Sequence, residues 1–215
     1  VTVLTKPTAL FSFTPALICD EPVNLDASAS NMGGSSAGIQ TYSWDYTTNG
    51  SIDNSSANPL NTNNFGGPGT YQVSLIVQST GGCLDTLTQT VVVNPKPVPN
   101  IAPLQPACSV DALLNGSGST IAAPGTIQSY NWDINGDGQT DATGATVNQN
   151  FNGPGTYNIV LTVVGNSGCS AQTQTSIVLL PIPTADFTTA NVCLSSLASF
   201  TDSTTVNGGN PTLTY

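Results

Sequence analysis

The residues of this chain best suited to bind a metal ion lie in the segment NWDINGDGQTD, residues 131–141. Four of its oxygen-bearing side chains follow one another at intervals of two, two and four residues, at Asp133, Asn135, Asp137 and Asp141. Calcium takes several oxygen ligands at this kind of spacing, and Gly138 permits the sharp bend that such a loop needs. The sequence therefore predicts that these four side chains bind Ca²⁺.

A second interpretation of the same segment needs no metal. Asp-Gly and Asn-Gly pairs are typical of β-hairpin turns, because these residues readily adopt positive φ. The chain also has Gly144 where an EF-hand loop carries its bidentate glutamate. An earlier segment, SWDYTTNGSID at 43–53, has the same outline, but Thr47 and Asn49 replace better ligands. We therefore expect this first loop to bind calcium weakly or not at all.

Groups able to carry out catalysis are scarce. The chain has no histidine, its only basic residues are Lys6 and Lys96, and Glu21 is its only glutamate. Without histidine, a serine, cysteine or threonine nucleophile has no ordinary general base. The aspartates lie in turns rich in glycine and asparagine rather than as an evident pair of acid and base. We therefore expect this part of the protein not to be an enzyme.

The charge balance excludes two classes of partner. Two lysines stand against 12 acidic residues, which gives a formal net charge of −10. Phosphate backbones and anionic lipid surfaces repel so acidic a chain, and cations are its plausible ionic ligands. The apolar residues occur in short runs, none of membrane length. We therefore expect neither binding to nucleic acid nor membrane insertion of this segment.

Several motifs occur twice or three times along the chain. Trp44 recurs as Trp132, 88 residues later, and GPGTY at 67–71 recurs at 153–157. Such self-similarity is the signature of tandem repeats. We interpret the chain as the last strand of a preceding repeat, repeat one, repeat two and the truncated start of repeat three, with bounds 1–6, 7–94, 95–180 and 181–215. On this interpretation the chain is a window on a longer tandem protein.

Polar and apolar residues alternate along equivalent segments of the two complete repeats. The apolar members are Tyr71, Val73, Leu75 and Val77 in repeat one, and Tyr157, Ile159, Leu161 and Val163 in repeat two. This period of two is typical of a strand with one buried face. Short strands separated by Gly, Pro and Asn clusters, with no helical period, favour an all-β antiparallel sandwich.

The cysteines occupy matching places in the repeats. Cys19 and Cys83 of repeat one correspond to Cys108 and Cys169 of repeat two, and Cys193 corresponds to the first of each pair. We expect disulfides between Cys19 and Cys83 and between Cys108 and Cys169, and a partner for Cys193 beyond residue 215. Oxidised pairs would indicate an extracellular setting. The alternative is that these residues are buried free thiols.

The segments YSWDYTTNG and YNWDINGDG, each followed by GPGTY and an alternating strand, resemble the signatures of the PKD (polycystic kidney disease) domain family. Repeat one departs from the usual Gly-Asp-Gly, and repeat two inserts an asparagine. The resemblance covers essentially the whole chain and implies tandem immunoglobulin-like β-sandwiches. It also implies that Trp44 and Trp132 are core residues rather than sugar-stacking platforms, and that Tyr71 and Tyr157 are buried corner tyrosines with bonded hydroxyls.

The resemblance further implies an extracellular role in adhesion or spacing. The cysteine pairs and Pro-x-Pro joins are similar to those of tandem PKD arrays in large bacterial surface proteins, including adhesins of gliding bacteria. We expect a secreted, cell-surface stalk or filament whose partners are neighbouring repeats and surface glycans or other surface proteins. The alternative is a PKD spacer array in a secreted enzyme that degrades polysaccharide or protein. A third class is a carbohydrate-binding module, which exposed aromatic residues would favour.

Overall fold

A computed structural model of the chain describes residues 4–19, 22–33 and 38–206. Within these residues every regular element is a β-strand and several of the sheets are antiparallel, with two isolated parallel bridges besides, which confirms the predicted all-β class. In the same ranges no helix has the length and apolar character needed to cross a membrane. Residues 1–3 of the predicted preceding strand and residues 207–215 of repeat three lie outside the described residues.

Repeat one forms two antiparallel sheets. One has the strand order β1-β2-β5 and the other the order β4-β3-β6-β7. The longest strands, β6 and β7, form a hairpin whose register pairs Gln78 with Leu84 at one end and Gly69 with Val93 at the other. The bounds are β1 Ser12–Thr14, β2 Val23–Asp26, β3 Ile39–Asp45, β4 Asn54–Ser56, β5 Leu60–Asn63, β6 Gly69–Ser79 and β7 Leu84–Val93.

The core of repeat one lies between these two sheets. The alternation in β6 places Val73, Leu75 and Val77 fully inside, as the sequence predicts. They belong to one cluster with Leu25 of the other sheet and with Trp44. Because alternate side chains of a strand point to opposite faces, Ser74 and Ile76, which lie between them, are only partly buried. The antiparallel sandwich is thus held by apolar burial between its two sheets.

Repeat two has the same kind of architecture. Its sheets have the orders β10-β9-β12-β13 and β11-β8. Ile159, Leu161 and Val163 of β12 are fully buried, and so is Trp132. The bounds are β8 Asp111–Asn115, β9 Ile127–Asp133, β10 Ala142–Thr143, β11 Thr146–Asn150, β12 Gly155–Gly165 and β13 Ser170–Leu179.

Residues 183–206 form two short ladders. β14 Pro183–Thr184 pairs with β17 Thr205–Val206, and β15 Phe187–Thr189 pairs with β16 Phe200–Asp202. The rings of Phe187 and Phe200 are 5.6 Å apart, yet both side chains are largely exposed.

The compact units of the chain do not coincide with the repeats. Unit one runs up to Pro97 and includes Ile121–Gln128 and Val164–Ala171, which are loop and strand ends of repeat two. Unit two contains Val98–Thr120, Ser129–Val163 and the chain from Gln172 onward. Within unit one, Gly125 lies so close to Pro95 that an added Cβ would be 2.6 Å from the Cγ of that proline.

Candidate functional site

The loop after β9 is organised by the carboxylate of Asp133, the last residue of that strand. The backbone N–H of Gly136 donates to Oδ1 at 2.7 Å, and the N–H of Gly138 donates to Oδ2 at 2.9 Å. Both glycines have positive φ, 78° and 83°, which other residues adopt at a cost. The Asp-x-x-Gly-x-Gly spacing therefore matches a carboxylate that caps two backbone groups of its own loop.

Asp141 closes the same loop from its other end. Its Oδ2 accepts from the backbone N–H of Ile134 at 2.7 Å, and its own N–H donates to the carbonyl of Trp132 at 2.7 Å. Its Oδ1 accepts from Nδ2 of Asn135 at 3.4 Å. The two aspartates that frame the predicted calcium loop thus bind the backbone of the loop between them.

The two remaining predicted ligands make turns of their own. Oδ1 of Asn135 accepts from the N–H of Asp137 at 2.9 Å, and Oδ1 of Asp137 accepts from the N–H of Gln139 at 2.7 Å. Each predicted ligand therefore already uses an oxygen as a hydrogen-bond acceptor. Among the described residues, no three His, Cys, Asp or Glu side chains form a group that could hold a metal ion. A bound calcium ion would have to share these oxygens with the backbone N–H groups of the loop. The Ca²⁺ site stays a prediction.

Repeat one builds the same loop with different residues. Asp45 accepts from the N–H of Thr47 at 3.1 Å and from the N–H of Gly50 at 2.9 Å. Oδ2 of Asp53 accepts from the N–H of Tyr46 at 2.7 Å. This is the arrangement of Asp133 and Asp141, in the loop for which the sequence predicts little or no calcium binding. Backbone capping therefore accounts for the framing aspartates of both repeats without a metal.

The carboxyls of Asp45 and Asp133 are held in their charged form. Burial by itself would raise the pKa of each, but N–H groups of the following loop outweigh it, so the pKa of each lies below the usual value. The N–H groups that lower the pKa are those of Gly50, Thr47, Thr48 and Asn49 for Asp45, and those of Gly138, Gly136, Asn135 and Asp137 for Asp133.

The two tryptophans are core residues, as the resemblance implies. Trp44 is 1% exposed and Trp132 is fully buried. The ring of Phe11 contacts Trp44 edge-on at 5.1 Å, and Nε1 of Trp132 donates to the carbonyl of Gly144 at 2.9 Å. Neither indole is available to stack on a sugar ring.

The tyrosines that follow Gly-Pro-Gly are bonded through their hydroxyls. The hydroxyl of Tyr71 donates to the carbonyl of Gly67 at 2.9 Å, and that of Tyr157 donates to the carbonyl of Gly153 at 3.0 Å. Both side chains are half-buried, less than the resemblance implies. They fix the turn that leads into β6 and β12 respectively.

Sequence reasoning missed a pair of buried serines. Ser30 accepts from the N–H of Leu10 at 3.0 Å and donates to the carbonyl of the same residue at 2.8 Å. Ser119, at the matching place of repeat two, accepts from the N–H of Asn100 at 2.9 Å. The signal was present in the sequence, because LDASAS and LNGSGS end in these serines. They attach the entering segment of each repeat to its own sandwich.

The cysteine pairing is corrected by the structure. Cys19 is bonded to Cys169, with a Cα to Cα distance of 5.6 Å, and Cys83 and Cys108 are free thiols. Cys83 directly precedes β7, whereas Ile18 forms a bridge with Val93 at the far end of that ten-residue strand. Ten strand residues span about 33 Å, far beyond the roughly 7 Å limit for bridged Cα atoms. The predicted bond between Cys19 and Cys83 is thus incompatible with this strand.

The same reason applies to the predicted bond between Cys108 and Cys169. Cys169 directly precedes β13, and Ala107 forms a bridge with Leu179 at the far end of that strand. The two cysteines of one repeat therefore belong to opposite ends of its last strand.

Comparison with known proteins identifies a family. The family model described as PKD domain matches residues 5–94 and 94–179. No curated protein matches the chain.

Three solved structures are similar to this chain at low sequence identity. Fibronectin(III)-like modules of Clostridium thermocellum CbhA are 12% identical, with a TM-score of 0.41 over 79% of this chain and 93% of that one. Carbohydrate-binding modules from the β-sandwich superfamily are 17% identical, with a TM-score of 0.40 over 81% and 85%. Three N-terminal domains of the bacteriophage RB49 outer capsid protein Hoc are 15% identical, with a TM-score of 0.38 over 95% and 70%.

Proposed function

The chain belongs to the PKD domain family, and from that premise we propose that it is a non-enzymatic, structural and adhesive repeat region of a large extracellular surface protein. In this role the repeats form a stalk or filament that spaces or presents an adhesive surface. PKD domains are typically repeat modules without catalytic activity, and two of them follow one another here without a gap.

The observation that carries the proposal is the disulfide between Cys19 and Cys169. These residues fall in the first and second segments matched by the PKD domain, so the bond ties one repeat covalently to the next. A covalent tie between consecutive repeats resists separation of the repeats under load. Disulfides also persist mainly in oxidising compartments, which supports an extracellular position.

The aspartates of the two loops and the two tryptophans also support a structural role. The framing aspartates cap loop backbone, and the tryptophans fill the cores. The aspartates and tryptophans, which were candidates for chemistry or for stacking on sugars, thus have structural roles in the fold. Adhesion then depends on surface residues of the array, with surface glycans or other surface proteins as proposed partners.

The test uses antibodies raised against the folded chain. We expect them to label intact, unpermeabilised cells of the source organism and to reduce attachment of those cells to a surface. Antibodies against the reduced and denatured chain serve as the matched control and should label weakly. Antigen found only in the culture medium, together with polysaccharide- or protein-degrading activity, would instead support a spacer array in a secreted enzyme.

A further inference from the structure

Each repeat offers two positions for cysteine. The first-place cysteines are Cys19, Cys108 and Cys193, and the second-place cysteines are Cys83 and Cys169. The observed bond joins the first-place cysteine of repeat one to the second-place cysteine of repeat two. We propose that this is the pairing rule of the array: each first-place cysteine bonds to the second-place cysteine of the PKD repeat that follows it. This inference requires only tandem repeats and is independent of an adhesive role.

Two of the first-place cysteines, Cys19 and Cys108, share one local structure, at the point where the chain leaves the repeat. In repeat one, the N–H of Asn94, directly after β7, donates to the carbonyl of Ile18 at 2.8 Å. In repeat two, the N–H of Leu180, directly after β13, donates to the carbonyl of Ala107 at 2.8 Å. Ile18 and Ala107 directly precede Cys19 and Cys108. Cys108 therefore has the placement within its repeat that Cys19 has, but its thiol is free and exposed.

The second-place cysteines also share one local structure, the turn between the two longest strands. The N–H of Ser79 donates to the carbonyl of Cys83 at 2.9 Å, and the N–H of Gly165 donates to the carbonyl of Cys169 at 2.8 Å. Gly82 and Gly168, directly before the cysteines, have φ of 83° and 93°. The two turns thus have the same conformation.

Both turns lie beside the segment by which the chain enters the repeat. At the Cys83 turn, an added Cβ on Gly81 would be 3.3 Å from Leu4, and Lys6 forms an ion pair with Asp85 at 2.6 Å. At the Cys169 turn, an added Cβ on Gly165 would be 3.8 Å from Pro97.

These two placements together explain the bond between repeats. The first-place cysteine lies where the chain leaves its repeat. The second-place cysteine lies beside the segment by which the chain enters its repeat. Only cysteines of consecutive repeats are brought together, because one strand of about 33 Å separates the two ends within a repeat. Cys83 is therefore the partner for a first-place cysteine of a preceding repeat. Cys108 and Cys193 are partners for second-place cysteines of following repeats.

The chemistry is an ordinary thiol oxidation. Two thiols form one S–S bond and release two protons and two electrons, and an external disulfide takes these up and is reduced to two thiols. Oxidised glutathione supplies this disulfide in the experiments below.

The first experiment uses the chain itself, refolded with reduced and oxidised glutathione. Free thiols are alkylated, and the protein is digested with pepsin without reduction and mapped by mass spectrometry. We expect one linked pair, Cys19 with Cys169, and alkylation of Cys83, Cys108 and Cys193. A link between Cys19 and Cys83, or between Cys108 and Cys169, would overturn the rule.

The second experiment supplies the missing partner. A second copy of residues 95–180 is inserted after residue 180, and this copy carries Cys108→Ser together with Ser170→Thr as a mass marker beside its Cys169. We expect the original Cys108 to be linked to the marked Cys169 of the copy, while Cys19 remains linked to the unmarked Cys169.

The matched control replaces the original Cys108 by serine in the same three-repeat chain. The marked Cys169 should then be alkylated, and the bond between Cys19 and the unmarked Cys169 should be unchanged. That unchanged bond shows that the first two repeats are folded, and a cooperative melting transition for the added copy shows the same for the third. Alkylation of both the original Cys108 and the marked Cys169 in a folded chain contradicts the proposal.

Discussion

Cys19 and Cys169 are 150 positions apart in the sequence, yet a disulfide joins them and their Cα atoms are 5.6 Å apart. Their bond closes a loop that contains most of both PKD repeats. A force applied to the two ends of the chain is transmitted across this bond, so the residues inside the loop are protected from extension.

The first prediction concerns the length of the chain under force. Pulled from its ends in a single-molecule experiment, the oxidised chain should extend only through residues outside the loop. Reduction should release about 500 Å of further contour length, because 150 residues at about 3.4 Å each become extensible. Cys169→Ser should behave as the reduced chain, and Cys83→Ser combined with Cys108→Ser as the oxidised one. Equal contour lengths before and after reduction would show that the bond does not bridge the repeats.

The second prediction concerns acid. Because the pKa of Asp45 and of Asp133 is lowered in the folded state, each stabilises the fold above its unfolded pKa of about 4, and this contribution is lost as the pH falls through the lower folded value. The melting temperature should therefore fall steeply below about pH 4.

A substitution isolates this contribution. Asp133→Asn should lower the melting temperature at pH 7 by several degrees and flatten its dependence on acid, since the amide turns a donor toward a loop N–H. Asp137→Asn is the control in the same loop, because Asp137 caps only the N–H of Gln139. If the melting temperatures of the parent and of Asp133→Asn fall in parallel as the pH is lowered, the Asp133 carboxylate is not the source of the acid-sensitive stability.

The third prediction tests the packing around a glycine. An added Cβ on Gly116 would be 2.8 Å from Cδ2 of Leu161 and 3.1 Å from Cζ2 of Trp132. Gly116→Ala should therefore destabilise the fold by about 1 to 3 kcal/mol through overpacking, measured by urea unfolding. Gly38→Ala is the matched control, because its nearest neighbour, Thr80, lies at an ordinary 3.9 Å. Equal urea midpoints of unfolding for the two variants would argue against close packing around Gly116.

The fourth prediction concerns calcium. If the loop from Asp133 to Asp141 binds Ca²⁺, millimolar calcium should raise the melting temperature relative to chelator, by the linkage of binding to folding. Asp137→Ala should abolish this rise, whereas Asn49→Ala should not. Asn49 is the matched control, since it caps the N–H of Ser51 in repeat one as Asp137 caps Gln139 in repeat two. A melting temperature that does not respond to calcium in the parent chain would exclude the site.

Much of the fold was predictable because the relevant signals are local. Apolar residues at every second position, Val73, Leu75 and Val77, predict a strand with one buried face. All three are buried in the structure. The repeated Trp-Asp segments located the two loops correctly, although periodicity does not distinguish a metal ligand from a backbone cap. That distinction depends on where the carboxylate oxygens of Asp133 point, which the spacing alone leaves open.

Local residue patterns were enough to predict the all-β class, the repeats and the two equivalent places for cysteine in the two complete repeats, and the resemblance to the PKD family implied the buried tryptophans. Which cysteines pair depends on tertiary contacts that these patterns do not contain. The matching places of Cys19 and Cys83 suggested a bond within the repeat, because sequence comparison shows equivalence but not distance. The length of β7 separates those two places, and the join between repeats brings Cys19 to Cys169. Disulfide pairing depends on which strand ends lie close together in the folded chain. A local pattern of residues does not contain this information.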